Sequence, residues 1–202
     1  MQLVLATNNR DKIREIKHLL DDLPVTIMTR DDFLDFPDPE ETGTTLEENA
    51  VLKAREISEF CELPALADDS GLEVDALDGA PGVYSSRYAG EDVTYEDNNR
   101  KLVKELEGVP TDKRTARFRC VIAIAWDKDN VQTVDGKAEG IITEDIAEGK
   151  GFGYDPVFYY PPKDKRFSQM SLEEKNGVSH RGRALQKART LITDRLNKLR
   201  AK

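Results

Sequence analysis

Leu3-Val4-Leu5-Ala6, running into Thr7-Asn8-Asn9-Arg10-Asp11-Lys12, is the stretch whose reading decides the fold. Four apolar residues stop at a polar turn, and beyond it Ile13, Ile16, Leu19, Leu20 and Leu23 recur at helical spacing. This predicts a strand, a tight turn and a helix, with a second strand over residues 25–28. Residues 29–43 contain two prolines, many acids and no period, which predicts a loop. A helix should then start at Thr44-Thr45-Leu46-Glu47-Glu48, where either threonine can cap and a Glu lies three residues on. It is expected to run to about Phe60. Pro64-Ala65-Leu66-Ala67 predicts a short buried strand ending at Asp68-Asp69-Ser70-Gly71.

Further along, a Gly/Pro-punctuated segment reaches Gly90 and a helical pattern covers residues 95–106. Residues 115–126 and 131–142 predict a long hairpin joined by Asp127-Lys128-Asp129-Asn130. Residues 149–162 form a glycine- and aromatic-rich loop with a strand at Val157-Phe158-Tyr159. A last helix should begin near Arg181, its apolar stripe being Leu185, Ala188, Leu191, Ile192, Leu196 and Leu199. Early β-α-β units followed by a hairpin place the chain in the α/β class, with a long mixed sheet flanked by helices. No repeat or linker interrupts it, so residues 1–202 read as a single domain.

Composition narrows the partners. Charged residues make up 34% of the chain, and no apolar run approaches the ~20 residues that span a bilayer. The N-terminus carries neither a basic stretch nor a cleavage site. No membrane association and a cytoplasmic location are therefore expected. Cys61 and Cys120 form no CxxC pair and read as buried, reduced thiols. A net charge of −9 argues against stable nucleic-acid binding, which needs a basic footprint. An acidic chain can still take a polyphosphate if it gathers a few cations and a metal ion in one place.

Four groups could do so. At Thr7-Asn8-Asn9-Arg10-Asp11-Lys12 a strand end and helix start aim backbone N–H groups and a helix dipole at one spot, which suits phosphate. The bland alternative is an ordinary cap. Asp68 and Asp69 are adjacent carboxylates at a strand end, and neighbours on a strand face opposite ways. One would face a ligand, where carboxylate and phosphate oxygens together suit magnesium, and the other would anchor backbone or a cation. The bland alternative is an Asx-turn. Glu41, Glu47, Glu48, Asn49 and Lys53 form a third group, with Asn49 and Lys53 on one helix face. Gly151-Phe152-Gly153-Tyr154-Asp155-Pro156, with Lys175 and Ser179-His180-Arg181-Gly182, offers a flat ring for a base, acceptors for ring N–H groups and donors for a carbonyl. Here the alternative is aromatic core.

Taken in order, Thr7-Asn8-Asn9-x-x-Lys12, Glu41-Thr42-Gly43-Thr44-Thr45, Glu48-Asn49-Ala50-x-x-Lys53-Ala54 and Ala67-Asp68-Asp69-Ser70-Gly71 resemble the inosine triphosphate pyrophosphatase family. So do Gly79-Ala80-Pro81-Gly82, Ser86-Arg87-Tyr88, the Gly151 to Pro156 motif and Ser179-His180-Arg181-Gly182. The resemblance covers essentially the whole chain. It implies two lobes around a long mixed sheet with the substrate between them, usually in a homodimer. It also implies magnesium-dependent hydrolysis of ITP, dITP and XTP to the monophosphate and pyrophosphate, which keeps these nucleotides out of DNA and RNA. Carried over by position, Thr7, Asn8, Asn9, Arg10, Asp11, Lys12, Lys53 and Arg87 hold the triphosphate. Glu41 and Asp69 bind the metal, with Glu40 the alternative to Glu41, and Asp69 is also the proposed acceptor for the proton of the attacking water. Ser70, Phe152, Gly153, Tyr154, Asp155, Lys175, His180 and Arg181 hold nucleoside and base. Many relatives have Gly where this chain has Asn8; Asn tolerates positive φ, so the turn is expected to persist. Two rival readings are a different nucleotide phosphatase and a non-catalytic nucleotide sensor, which would be expected to lose the acidic pair.

Overall fold

A computed structural model describes residues 1–148 and 151–201. Gly149 and Lys150, at the start of the expected aromatic loop, and Lys202 lie outside the described residues. The chain folds as β1 (Gln2–Leu5), α1 (Arg10–Leu20), β2 (Thr26–Met28), α2 (Leu46–Cys61), β3 (Ala65–Val74) and β4 (Pro81–Gly82). It continues with α3 (Tyr95–Glu105), β5 (Thr115–Asp127), β6 (Asn130–Ile142), β7 (Phe158–Tyr160), β8 (Lys165–Arg166), α4 (Leu172–Val178) and α5 (His180–Arg200). The strands make one sheet in the order β2-β1-β3-β5-β6-β7-β8, with β4 beside β3. β1 pairs in parallel with β2 and β3, whereas β3–β4, β6–β7 and β7–β8 are antiparallel, so the sheet is mixed.

Local chemistry accounts for most of these elements. Thr45 caps α2 in a reciprocal box with Glu48, which selects it over Thr44. Asn9 caps α1 by accepting from the Asp11 and Lys12 amides. Ser171 and Glu174 form the same box at the start of α4, a helix that apolar periodicity does not reveal because it is only 7 residues long. Residues 29–43 are less irregular than expected, since Arg30–Asp32 forms a 3₁₀ turn.

The chain divides into two compact units, and the division falls within β3, β5 and β6. The first comprises Met1–Asp69, Cys120–Gly136 and Arg181–Lys202. Its core packs Leu3, Leu5, Leu66, Ile122 and Ile124 of the sheet against Ile16 and Leu20 of α1 and Leu185, Ala188 and Ile192 of α5. Each such side chain, fully buried, contributes roughly 1.5–3 kcal/mol. Leu199, assigned to the stripe of the last helix, is instead 50% exposed, because it lies in the final turn beyond the core. The second unit comprises Ser70–Arg119 and Lys137–His180. Its core joins Leu72, Val74, Phe118, Ile142, Phe158 and Phe167 to Leu102 and Leu106 at the end of α3.

Two expectations need correction. β3 does not end at the acidic pair but runs on to Val74, because Leu72 and Glu73 find a second partner strand in β4. The Asx-turn alternative therefore fails: Asp68 and Asp69 lie inside a strand. Cys61 is only partly buried, at the last position of α2, while Cys120 is fully buried; neither is in a disulfide.

Candidate active site

In the first unit, β3 carries Asp68 and Asp69 to opposite faces, as strand geometry requires. Asp68 accepts from Arg181 Nε at 3.0 Å and lies 3.2 Å from Lys12 Nζ. Arg181 also donates to Glu15 Oε2 at 2.6 Å. Arg181, Asp68 and Glu15 are thus buried together and Lys12 joins them from a partly exposed position, two cations to two carboxylates, and such neutralisation is the condition for burying charge at all. Burial opposes ionisation of Asp68, but Lys12, Arg181 and Lys53 outweigh it and hold its carboxyl well below the usual range.

Asp69 faces a different partner. Lys53 Nζ donates to Asp69 Oδ1 at 2.8 Å and to Glu41 Oε1 at 2.9 Å, and it lies 3.4 Å from the Asp68 carbonyl. Burial pushes the Asp69 carboxyl above its ordinary range, against the pull of Lys53 and Lys12. For Lys53 burial acts against the charge, yet Asp69 and Glu41 prevail and hold the ammonium above the usual lysine value.

Glu41 is brought there by α2. Asn49, 1% exposed, accepts the Gly43 amide on Oδ1 at 2.7 Å and so fixes the chain two residues after Glu41. A Cβ at residue 43 would come within 2.6 Å of that oxygen, so the close approach needs glycine. Glu48 is occupied by the cap, and Glu47 bonds Thr133 Oγ1. Asn49 therefore positions Gly43 through its Oδ1.

At the turn before α1, Asn9 Oδ1 takes the amides of Asp11 and Lys12, two of the donors expected to face an anion. Thr7 Oγ1 accepts the Asn9 amide. Asn8 does not adopt positive φ; it is exposed and donates to Asp38 Oδ1 at 3.1 Å. Arg10 is exposed, and Asp11 pairs with Arg14. Lys12 is the member of this group that reaches the acidic pair.

The second unit holds the remaining residues. Asp155, 2% exposed, accepts from Lys175 Nζ at 2.6 Å and from the Phe152 amide at 3.0 Å, both on Oδ2. Lys175 Nζ also stands 4.5 Å from the centroid of the Phe152 ring. Gly151 has φ +119°, and a Cβ there would overlap the Asp155 carboxylate. Tyr154 is buried and donates to the Ser85 carbonyl at 2.8 Å. His180 is 4% exposed and stacks on Phe118 at 4.5 Å and 8°. Ser70 is partly buried in β3, and the Arg87 guanidinium lies 5.3 Å from the Tyr84 ring centroid.

Sequence reading missed Glu15, which is 2% exposed beside Ile16 on the buried face of α1. A carboxylate on an apolar stripe, three residues after Lys12, was the available signal. It also missed Asp38 and the asparagines of α3; Asn8 reaches Asp38 across 30 residues and Asn99 reaches Gly153 across 54.

A divalent cation can be tested against these groups. Glu41, Asp69 and Lys53 leave one net negative charge, and Glu41 is 30% exposed. Among the described residues no group of three or more His, Cys, Asp or Glu converges as a metal site. That donor set fits magnesium, which uses one or two carboxylates and takes its other ligands from water and substrate phosphates. Also among the described residues, no helix is long and apolar enough to cross a membrane.

Comparison with known proteins agrees along the whole chain. A protein named dITP/XTP pyrophosphatase from Desulforamulus reducens is 50% identical over 192 residues, covering 95% of this chain and 96% of that one. One of the same name from Geobacter sulfurreducens is 52% identical over 184 residues, 91% and 92% of the two chains. Among solved structures, a HAM1 protein from Coxiella burnetii superposes with a TM-score of 0.88 at 42% identity, covering 96% of this chain and 99% of that one. The Staphylococcus aureus Ham1 protein gives 0.86 at 37%, covering 96% and 100%. With the model of the Ham1 family matching residues 3–191, the chain belongs to the Ham1 family.

Proposed function

We propose that the protein hydrolyses deaminated purine nucleoside triphosphates (ITP, dITP and XTP) to the monophosphate and pyrophosphate. The observation that carries this reading is the convergence of Glu41 and Asp69 on Lys53 Nζ, at 2.9 and 2.8 Å. The names of the relatives point the same way.

In this reading Lys12 and Lys53 balance the charge of the triphosphate, with Thr7, Asn8, Asn9, Arg10, Asp11 and Arg87 as further contacts. Glu41 and Asp69 hold magnesium, which when bound neutralises phosphate charge and makes water more acidic. Asp69 aligns a water against the α-phosphorus and takes its proton. The new P–O bond forms as the bond to the bridging oxygen breaks, and charge passes to the leaving pyrophosphate, where the lysines meet it. Asp68 takes no part in the transfer and anchors Lys12 and Arg181. In the second unit the Phe152 ring seats the base, Lys175 and His180 supply donors for its 6-oxo group, and Asp155 is the acceptor for its ring N–H. Ser70, Gly153 and Tyr154 support this seat. A homodimer is part of the proposal and rests on the family resemblance; a cytoplasmic location is proposed with it from the heavily charged composition.

Incubation with ITP and magnesium should release IMP and pyrophosphate in equal amounts, resolved by phosphorus NMR. Direct appearance of IDP and orthophosphate would sink the assignment.

A further inference from the structure

Asn99 of α3 is 2% exposed, and its Nδ2 donates to two backbone carbonyls, Tyr95 O and Gly153 O, both at 2.8 Å. Its Oδ1 has no hydrogen-bond partner among the described residues. A buried acceptor left unmatched is unfavourable, and a leucine of similar size would avoid it. What the amide contributes is therefore its pair of donors. One ties back to its own helix; the other crosses 54 residues of sequence to the loop that carries Phe152.

The same helix touches that loop a second time. The Tyr95 ring, at the start of α3, lies 6.1 Å from the Phe152 ring at 45°. Phe152 is thus bounded by the Tyr95 ring and the Lys175 ammonium, and the carbonyl of the next residue is pinned by Asn99. Gly153 has φ +62°, so the backbone turns sharply at the pinned carbonyl. The neighbouring Asn98 bonds the 85–89 segment, donating to Ser86 O at 3.0 Å and accepting from the Ala89 amide at 2.7 Å. That leaves Asn99 as the amide of this pair that serves the Phe152 loop.

We propose that Asn99, with Tyr95, is a positioning residue that fixes the Phe152 ring for the purine, and so sets affinity for the base and not the rate of hydrolysis. This rests on the reading of Phe152 as the base seat. Glu41, Asp69, Lys12 and Lys53, the groups assigned to the metal and the reacting phosphate apart from the turn before α1 and Arg87, belong to the first unit, so loosening this loop should appear in KM.

The test is steady-state kinetics with ITP and ATP, with thermal melts, on Asn99→Leu, Tyr95→Ala and Phe152→Ala. Asn99→Leu should raise KM for ITP about tenfold, the effect of losing one well-made hydrogen bond. It should leave kcat within about threefold, the signature of lost binding without lost transition-state stabilisation. Tyr95→Ala should move KM the same way with Tm unchanged, since Tyr95 is 44% exposed; it carries the test should Asn99→Leu not fold. An unchanged KM in both variants, with a raised KM in Phe152→Ala, would overturn the inference. A loss of kcat that tracks Tm, with KM unmoved, would make Asn99 a purely structural residue and overturn it too. If Phe152→Ala itself left KM unchanged, the base seat would be misassigned and the inference would fall with it.

Discussion

Arg181 Nε donates to Asp68 Oδ2 at 3.0 Å, and neither side chain is more than 2% exposed. This pair separates the two adjacent aspartates by role. Asp68 meets charges that are fully compensated inside the protein, whereas Asp69 and Glu41 together carry one more negative charge than Lys53 balances. The first arrangement leaves no carboxylate over for a metal; the second invites a cation.

Substitution should expose that difference. Asp68→Asn leaves Arg181 and Lys12 short of a counter-charge and should cost about 3–5 kcal/mol of stability, as breaking a buried ion pair does. Asp69→Asn should keep the fold and lower kcat by at least ~10², since proton acceptor and metal charge go together. Urea melts and turnover at saturating magnesium check both. Near-normal turnover in Asp69→Asn would show that Asp69 has been given the wrong role.

Magnesium should bind weakly to the nucleotide-free protein and tightly only alongside a non-hydrolysable triphosphate, because two carboxylates leave most coordination positions to water and phosphate. Chelation should abolish turnover and added magnesium restore it. Calorimetry with and without the analogue measures the coupling. Tight binding of magnesium alone would contradict the shared site.

Gly43→Ala should weaken the metal site without touching it. The added Cβ meets the Asn49 amide and the Glu48 side chain, so the segment bearing Glu41 must shift. A stability loss of about 1–3 kcal/mol follows from overpacking, together with a higher magnesium requirement for half-maximal rate. If the melt shifts but the magnesium dependence does not, Asn49 and Gly43 do not position Glu41.

Base selection should favour ITP over ATP by a factor on the order of 10²–10⁴. Adenine reverses both the 6-position and the ring-nitrogen polarity, leaving buried groups unpaired at ~1–3 kcal/mol each. In His180→Ala the preference should shrink, mainly through lost activity on ITP. The ratio of kcat/KM values for the two nucleotides decides it; an unchanged ratio would mean that other residues read the base.

Most of the fold was legible locally. The apolar run and turn at residues 3–9, the spacing from Ile13 to Leu20, and the box at Thr45 and Glu48 each encode an element within one or two turns of chain. The end of β3 was not legible, because Asp68-Asp69-Ser70-Gly71 looks like a turn until β4 supplies hydrogen bonds from residues 81 and 82. The partner of Asn8 escaped for a similar reason: Asp38 lies 30 residues away.

The sequence by itself determined the order of elements, the family resemblance and the set of residue types available for phosphate, metal and base. Only the tertiary structure decided which charge meets which. Arg181, read as a contact for the base, finds Asp68 113 residues away and Glu15 166 residues away. Asp69 meets Lys53 and Glu41 instead. The physical reason is that periodicity records which face of an element is buried, whereas a buried charge must be neutralised by whatever the packing brings within reach, and that packing joins segments that are remote in sequence.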